Sequence, residues 1–299
     1  MKVLVTGGVG FIGAHLVDAL AGRGDDVVVL DNRAAVLSDV CDDLAVRALL
    51  TPDVDVVVHL AAKTSVIDTI ADPAGTFRTN LEATVRLAEQ CRQQGVKRFV
   101  FASTSAAVGA GVGSGGLMDE DSTLVPLTPY GASKAAAECA LSAYRHAYGI
   151  DVVSLRFTNV YGPGMEVADK RTAIAQMLRA TRNEREFDLY GDGHHVRDYV
   201  FITDVVDALL AAADGAVGAD VVCFGSGTSV SVLELAEVVG RVTGRRLPIR
   251  RQPPRVGEMP AVRVGLARAR SYGLVARVAL EEGLARTWLP DRAPARRGD

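Results

Sequence analysis

Hydrophobic positions in the first half of the chain alternate between two patterns. Short, nearly continuous apolar runs predict buried strands at residues 2–6, 27–30, 54–60, 98–103 and 152–157. Apolar positions at helical spacing fall between these runs and predict helices over residues 11–20, 73–94 and from Tyr130 onward. This β-α-β rhythm predicts an α/β fold built on a doubly wound parallel sheet with helices on both faces.

The pattern changes after the turn Gly162-Pro163-Gly164. A helix at 173–182, a short strand at 187–190 and mixed segments predict a smaller second lobe. The expected organisation is a nucleotide-binding domain over 1–165, to which 199–226 returns, a C-terminal substrate-binding lobe made of 166–198 and 227–290, and a tail at 291–299.

A glycine-rich segment, Gly7-Gly8-Val9-Gly10-Phe11-Ile12-Gly13, joins the first predicted strand to the first helix. Gly7 suits a tight turn, Gly10 lets a pyrophosphate approach the backbone, and Gly13 lets the helix pack closely on the strand. The N-terminus of that helix favours the anion. These features predict a Rossmann-type dinucleotide-binding domain.

An acidic residue, Asp31, follows the second predicted strand, 18 residues after Gly13. A carboxylate there accepts hydrogen bonds from the adenosine ribose hydroxyls and repels a 2′-phosphate, which favours NAD over NADP. Arg33 is near enough to hold such a phosphate, but we interpret it as a solvated loop charge.

Tyr130 and Lys134 stand four residues apart at the start of a predicted helix. This spacing puts both side chains on one face, where an ammonium group favours the phenolate and lowers the tyrosine pKa. Tyr-x-x-x-Lys alone is an ordinary helix pair. After a dinucleotide-binding loop, it predicts a general base beside a nicotinamide.

Composition narrows the class of protein. The 299 residues carry 33 basic and 36 acidic side chains, a net charge of −3, and no basic stripe suggests a nucleic-acid partner. No apolar run reaches the roughly 18 residues that span a membrane, and no signal peptide is recognised. Cysteine and histidine show no metal-ligand spacing, so we expect no metal, buried unpaired cysteines and a cytoplasmic location.

A set of ordered motifs runs from Met1 to about Trp288. They are Thr6-Gly-Gly-x-Gly-Phe-Ile-Gly13, Asp31-Asn32, His59-Leu-Ala-Ala62, Asn80, Ser103-Thr104-Ser105, Tyr130-x-x-x-Lys134, Arg156-Phe-Thr-Asn-Val-Tyr-Gly-Pro163, Gly191-Asp-Gly193, Arg197-Asp198-Tyr199 and Arg255-x-Gly-Glu258. In them the chain resembles the extended short-chain dehydrogenase/reductase family, in its NAD-dependent sugar-nucleotide epimerase/dehydratase branch typified by UDP-galactose 4-epimerase.

The resemblance implies a catalytic triad of Ser105, Tyr130 and Lys134. In that scheme the serine hydrogen-bonds the sugar C4 oxygen, the tyrosine takes its proton, and the lysine holds the nicotinamide ribose. The cofactor-binding residues that it implies, with those of the glycine loop, are Gly7, Gly10, Phe11, Ile12, Gly13, Asp31, Asn32, Asp39, Val40, Leu60, Ala61, Ala62, Asn80, Ser103, Tyr130, Lys134 and Phe157. The substrate-binding residues are Thr104, Ser105, Asn159, Arg197, Arg255 and Val262.

Departures from the family pattern bear on the reaction. Ala106 and Ala107 replace the acidic residues that dehydratases and decarboxylases of this branch carry, which disfavours both reactions. Glu166 stands where enzymes acting on glucuronic acid often place an arginine, which disfavours a uronate. Gly109 replaces a usual tyrosine, and only eight residues separate Asp31 from Asp39, so the adenine-side loop is short.

The sequence thus predicts a 4-epimerase of a nucleotide-activated hexose, with a UDP-hexose as the expected substrate. Two alternatives stay open: a 4-ketosugar reductase or related tailoring enzyme, and a non-catalytic NAD-binding sensor. Val262, where glucose-restricted members of the family place a tyrosine, leaves room for an N-acetylated hexose. His59 is interpreted as a core residue.

A homodimer is also expected, because the resemblance implies a four-helix interface made by 73–94 and 130–148 of each chain. The apolar residues expected to form it include Leu81, Val85, Leu87, Ala135, Ala136 and Leu141.

Overall fold

The computed structural model of the chain describes residues 1–34, 38–112, 117–165, 172–254 and 263–288. Its strands are β1 (Lys2–Thr6), β2 (Asp26–Leu30), β3 (Val56–His59), β4 (Arg98–Thr104), β5 (Leu117–Met118), β6 (Asp151–Phe157), β7 (Asn159–Tyr161), β8 (Phe187–Tyr190), β9 (Val196–Phe201), β10 (Val221–Phe224), β11 (Ser229–Ser231), β12 (Ile249–Gln252) and β13 (Arg263–Val264). Six of them form a parallel sheet in the order β2-β1-β3-β4-β6-β10. The predicted doubly wound parallel sheet is confirmed.

The helices include those predicted over 11–20, 73–94, from Tyr130 and at 173–182, together with others that the periodicity did not predict. They are α1 (Phe11–Gly22), α2 (Asp43–Leu49), α3 (Val66–Ala71), α4 (Pro73–Phe77), α5 (Ala83–Gln94), α6 (Pro129–Tyr148), α7 (Ala173–Arg182), α8 (Ile202–Ala213), α9 (Val232–Thr243), α10 (Ala267–Ser271) and α11 (Leu280–Trp288). A π-helical turn, Arg78–Glu82, joins α4 to α5, and a 3-10 turn, Ser105–Ala107, follows β4.

The sheet has a separate apolar core on each face. Val3 and Val5 of β1 pack with α1 and α8 on one face, whereas Leu4 packs with α2, α5 and α6 on the other. This alternation follows from the two-residue period of a strand. Because both faces are covered, the strands read in the sequence as continuous apolar runs rather than as alternating ones.

The second lobe is built from short elements around α7 and α9. β8 pairs with β12 in parallel, and β7, β9 and β11 form a three-stranded sheet. The segment that leaves this sheet returns to the first one: α8 packs beside α1, and β10 pairs with β6. The first face of the large sheet and the second lobe share one continuous core, with Leu178 and Leu235 joining Val205 and Leu209.

The expected dimer stripe requires a correction. Leu87, Ala135 and Leu141 are buried within the chain, where Leu87 and Leu141 pack under the sheet, so they cannot face a partner. Leu81, Val85 and Ala136 stay partly exposed. The periodicity showed apolar positions on these helices but could not separate the face that covers the sheet from the outer one.

The expectation of buried cysteines holds for only part of the set. Cys91 and Cys223 are buried, but Cys41 is half-buried and Cys139 is exposed on α6. All four are free thiols.

Candidate functional site

A cleft of about 440 Å³ lies at the carboxyl ends of the strands of the large sheet. This edge is where open α/β sheets bind ligands, and the volume falls in the usual range of ligand pockets. Its lining includes most of the residues assigned to the cofactor: Gly7, Gly10, Phe11, Ile12, Gly13, Asp31, Asn32, Asp39, Val40, Leu60, Ala61, Ala62, Ser103, Tyr130, Lys134 and Phe157.

The glycine loop takes the conformation that its residues predict. Gly7 has a φ of 72°, in the left-handed region that favours glycine, and its N–H donates to Leu30 O at 2.8 Å. A side chain on Gly13 would collide with the carbonyl oxygen of Gly7, so the helix can approach the loop only through glycine. No side chain caps the start of α1, which leaves its amide groups directed at a ligand.

Asp31 is held at the end of β2 with 4% of its surface exposed. Its two carboxylate oxygens accept hydrogen bonds from the backbone N–H groups of Val9 and Arg33, each at 2.9 Å. The Arg33 side chain lies 3.4 Å from the same carboxylate and is more than half exposed. The carboxylate is therefore fixed and points into the cleft beside the glycine loop.

One cofactor residue, Asn80, does not line the cleft. It is buried behind the wall, where its amide nitrogen donates to Lys63 O at 2.9 Å and its oxygen accepts from Lys63 N at 2.8 Å. The same nitrogen donates to Ser133 Oγ at 3.0 Å. These bonds use both amide hydrogens, and Asn80 lies behind the lining, so in this structure it shapes the wall through Lys63, and its expected contact with the cofactor stays a prediction.

An unsatisfied hydroxyl inside the cleft supports a dinucleotide there. Ser103 Oγ is buried and finds no hydrogen-bond partner among the residues that the structure describes. Buried hydroxyls are normally paired, so this atom fits a polar group of a ligand. With the uncapped helix and the buried Asp31, the lining suits an anionic nucleotide with free ribose hydroxyls.

Tyr130 lies in the first turn of α6, which begins at Pro129 and is capped by the Thr128 hydroxyl. Its hydroxyl is hydrogen-bonded by Thr104, at the end of β4. Ser105 is the next residue, begins the 3-10 turn, is buried and does not line the cleft. The structure thus places Thr104, assigned from the sequence to the substrate, in the position expected of Ser105.

Lys134 lies one helical turn further on and is almost completely buried. Its Nζ donates to Ala102 O at 2.8 Å and lies 4.3 Å from the centre of the Phe101 ring. Burial lowers the pKa of Lys134 to about 7, and the charge of Glu138 acts against that shift.

The sequence predicted a lowered pKa for Tyr130, but in the structure this pKa is raised. Burial raises it, and only the hydrogen bond from Thr104 works to lower it. The i,i+4 spacing correctly predicted that the two side chains lie on the same face of the helix. Sequence could not show whether burial, which raises the tyrosine pKa, or the ammonium charge, which lowers it, has the larger effect. Both side chains sit in a site where the uncharged form is favoured.

A second cavity of about 200 Å³ lies in the smaller lobe. Asn159 and Arg197, both assigned to the substrate, line it together. Asn159 Nδ2 donates to Asp198 O at 2.9 Å, which fixes the asparagine against β9. Arg255 and Val262, the other substrate assignments in this lobe, and Glu166 lie outside the described residues.

Sequence reasoning missed several residues of this cavity. Thr172, Gln176, Asp188, Tyr190 and Tyr199 line it as well. Thr172 and Gln176 belong to the start of α7, Asp188 and Tyr190 to β8 and Tyr199 to β9, and no local spacing connects these three elements. Thr172 carried one usable signal, because a threonine before an apolar helix is typical of an N-cap, which it forms on Ala175 N.

Comparisons with known proteins show the family of the chain. Residues 3–223 match the NAD dependent epimerase/dehydratase family. The chain is 34% identical over 305 residues to the UDP-glucose 4-epimerase of Mycolicibacterium smegmatis, with 96% of this chain and 97% of the relative covered.

Two solved structures are similar over nearly their whole length. The UDP-glucose 4-epimerase of Thermotoga maritima with UDP-glucose has a TM-score of 0.90 at 32% identity, covering 96% of this chain and 97% of that one. MoeE5 in complex with UDP-glucuronic acid and NAD has a TM-score of 0.88 at 35% identity, covering 96% and 98%. Among the described residues, no helix is long and apolar enough to cross a membrane.

Proposed function

The chain belongs to the NAD-dependent epimerase/dehydratase family, and from this premise we propose that it is an NAD-dependent 4-epimerase of a nucleotide-activated hexose, with UDP-glucose and UDP-galactose as the first substrates to test. The observation that carries the proposal is the pair of Tyr130 and Thr104 at one end of the NAD cleft. The acidic side chains among the described lining residues, Asp31 and Asp39, belong to the other end. A dehydratase or decarboxylase of this branch carries a further carboxyl group at the reacting sugar, and the described lining of the cleft has none besides Asp31 and Asp39.

The cofactor would be held by groups whose geometry is already set. The amides at the start of α1 would receive the pyrophosphate, Asp31 the adenosine ribose and Lys134 the nicotinamide ribose. Bound NAD supplies a hydride acceptor, and later a hydride donor, which no side chain can provide.

The side chains then handle the proton. Tyr130 takes the proton of the sugar C4 hydroxyl, while the Thr104 hydroxyl stabilises the phenolate by donating to it. Lys134 is almost completely buried beside this site, so its ammonium group is shielded from bulk water. After the 4-keto sugar turns about its diphosphate bond, Tyr130 returns the proton as the sugar is reduced on its other face.

The substrate would extend from this end of the cleft toward the second cavity. Asn159 lies between the two, since it lines the second cavity and follows Phe157 and Thr158 of the cleft. Arg197 would bind the diphosphate, because a guanidinium group matches phosphate oxygens. Arg255 is proposed for the same task on sequence alone, and Val262 for the space that admits an N-acetylated hexose.

The test is a set of UDP- and dTDP-hexoses incubated with the purified protein, with products resolved by chromatography. Interconversion of UDP-glucose and UDP-galactose without added NADH, and retention of NAD through purification, are expected. Stoichiometric consumption of NADH would indicate the alternative ketosugar reductase, and bound NAD without turnover of any sugar would indicate the sensor. UDP-glucuronate belongs in the set because a similar structure binds it.

Substrate width needs its own comparison. Wild type is expected to interconvert UDP-GlcNAc and UDP-GalNAc, and Val262→Tyr to suppress that pair selectively, by roughly 10-fold or more, through steric exclusion. Equal slowing of the acetylated and non-acetylated pairs would reject Val262 as the gate.

The homodimer is proposed on the outer face of α3, α4, α5 and α6. Ile67 and Ile70 are each 53% exposed and Phe77 is 36% exposed, and their helices pack beside α6. Exposed apolar side chains grouped in this way are typical of an interface. Light scattering at micromolar concentration is expected to give a dimer, and Ile70→Glu a monomer; a wild-type monomer would reject the proposal.

A further inference from the structure

His59, the last residue of β3, is completely buried beneath the cofactor cleft, although the proposed chemistry does not use it. Its Nδ1 lies 2.6 Å from the hydroxyl oxygen of Thr6, the last residue of β1. The same oxygen accepts a hydrogen bond from Ala61 N at 3.2 Å. Ala61 lines the cleft and Thr6 precedes the glycine loop, so this side of the imidazole supports the cofactor wall.

The other side of the imidazole contacts a different part of the site. His59 Nε2 lies 2.8 Å from Thr84 Oγ1, and the Thr84 hydroxyl donates to the carbonyl oxygen of Asn80 at 2.8 Å. Asn80 lies in the π-helical turn, a rare conformation that often marks functional segments. The Thr84 hydroxyl therefore supports the carbonyl of that turn.

The π-helical turn also contacts the helix that carries Tyr130. The Asn80 side chain holds Lys63 through both of its backbone groups and donates to Ser133 Oγ at 3.0 Å. The Ser133 hydroxyl donates to the carbonyl oxygen of Tyr130 at 2.8 Å. Hydrogen bonds thus connect Ala61, through His59, to the backbone carbonyl of Asn80, and the Asn80 side chain connects onward to the first turn of α6.

The positions of the hydrogens along this path follow from the chemistry of its ends. A carbonyl oxygen only accepts, so the Thr84 hydrogen is committed to Asn80, and Thr84 Oγ1 must accept from His59 Nε2–H. In a neutral imidazole the other nitrogen is then an acceptor, so Thr6 donates to Nδ1 and is left to accept from Ala61 N–H. One neutral tautomer satisfies every group on the path.

The surroundings of the ring keep it neutral and fixed. Burial lowers the pKa of His59 to about 3, and the positive charge of Lys134 acts in the same direction. The ring stacks on Phe101 at 5.7 Å with an angle of 24° between the planes, and the Lys134 ammonium lies over the same phenylalanine.

We propose that His59 is a positioning residue whose neutral Nε2–H imidazole joins the cofactor wall to the helix that carries Tyr130. It acts on the wall through Thr6 and Ala61, and on the helix through Thr84 and Asn80. The proposal rests on the NAD site of the proposed function but not on the identity of the sugar, so direct NAD binding tests it apart from turnover.

Two substitutions separate the two sides of the imidazole. In His59→Asn the amide oxygen can occupy the place of Nδ1 and accept from Thr6, but nothing reaches Thr84. In His59→Gln the amide nitrogen can occupy the place of Nε2 and donate to Thr84, but Thr6 loses its acceptor. His59→Phe keeps the stacking on Phe101 and removes both contacts.

The expected results differ between the variants. His59→Asn should keep the NAD Kd within about threefold and lower kcat at saturating NAD by about tenfold, whereas His59→Gln should weaken NAD binding by about tenfold and keep kcat within about threefold. His59→Phe should show both losses. Thr181→Val, which removes another buried hydroxyl bond on α7, is the control for general destabilisation and should leave both constants unchanged.

Equal losses of NAD affinity and kcat in His59→Asn and His59→Gln, or wild-type constants in His59→Phe, would overturn the proposal. A measurement on the wild-type protein does not depend on whether any variant folds. The ring ¹⁵N shifts of His59 at pH 7 should show a neutral ring with the proton on Nε2, and a proton on Nδ1, alone or as imidazolium, would overturn the proposal as well.

Discussion

The cleft and the second cavity are shaped by different means. In the cleft, much of the shape comes from the backbone: the left-handed Gly7, the close approach of Gly13 to the loop, and the uncapped start of α1. In the second cavity it comes from side chains on separate elements, such as Asn159 of β7, Gln176 of α7 and Arg197 of β9. Backbone recognition is tied to a short contiguous motif, whereas side-chain recognition can change one residue at a time.

This difference suits the roles proposed for the two regions. A cofactor that stays the same can be bound by a rigid loop and a fixed carboxylate, so the cleft tolerates little change. A substrate that varies within a family is better recognised by a surface whose side chains can be exchanged without altering the fold. Substitutions in the cleft should therefore affect catalysis or NAD, and those in the second cavity the substrate KM.

The largest effect is expected at the end of the cleft where proton transfer is proposed. Tyr130→Phe removes one hydroxyl and should lower kcat by at least ~10²-fold, the low end for removing a positioned general base, with binding of NAD and UDP preserved. Steady-state rates and calorimetric binding check this. Tyr144→Phe, on the same helix, removes a hydroxyl that donates to surface Glu89 and should leave activity unaffected. Near-normal turnover in Tyr130→Phe would end the mechanism.

The next effect tests the other side of the comparison. Arg197→Ala should raise the KM of the nucleotide sugar by roughly 10- to 100-fold, with kcat and NAD affinity little changed, because a charge-assisted contact to phosphate is worth about 1.5–3 kcal/mol. Arg241→Ala, an exposed arginine of the same lobe paired with Glu281, is the matched control. A loss of kcat instead, at unchanged KM, would place Arg197 at the reacting sugar rather than at the diphosphate.

The same contrast explains what the sequence could predict. The glycine loop, Asp31 and the pair of Tyr130 and Lys134 obey local rules of spacing, and the structure brings all of them to one cleft. β1, β2, β3, β4 and β6 were predicted because their apolar runs are continuous, a consequence of burial on both faces.

Other features depended on contacts between distant segments. Sequence could not show that the Asn80 side chain hydrogen-bonds to Lys63 and Ser133, since these partners lie 17 and 53 residues away in the chain. It also could not show that Thr104 rather than Ser105 meets Tyr130, because the 3-10 turn that begins at Ser105 decides which hydroxyl faces the cleft.

A smaller effect tests the adenosine end of the cleft. Asp31→Asn keeps the size of the side chain but loses the charge and one acceptor, so NAD affinity should fall by about tenfold, because hydrogen bonds to a charged group are the stronger ones. Binding of NADP should weaken less or improve, since the repulsion of a 2′-phosphate is removed. Equal losses for both nucleotides would mean that Asp31 acts only by holding Val9 and Arg33.

The smallest effect concerns the stability of the fold, which we expect to increase when a buried side chain is replaced. Lys134 has a pKa of about 7 in the folded chain, below the ordinary value of 10.5, because burial disfavours its charge. Between pH 7 and 10.5 the unfolded chain binds more protons at Lys134 than the folded chain does. The contribution of Lys134 to stability therefore rises with pH through that window and is least favourable below pH 7.

Lys134→Met should therefore stabilise the protein at pH 7 by on the order of 1 kcal/mol, after the lost bond to Ala102 O is discounted, and the gain should shrink as the pH approaches 10. Denaturant unfolding at several pH values measures this. Lys97→Met, at an exposed position, should show no such trend, and a Lys134→Met protein that is less stable than wild type at pH 7 would show that the contacts of the ammonium outweigh its desolvation.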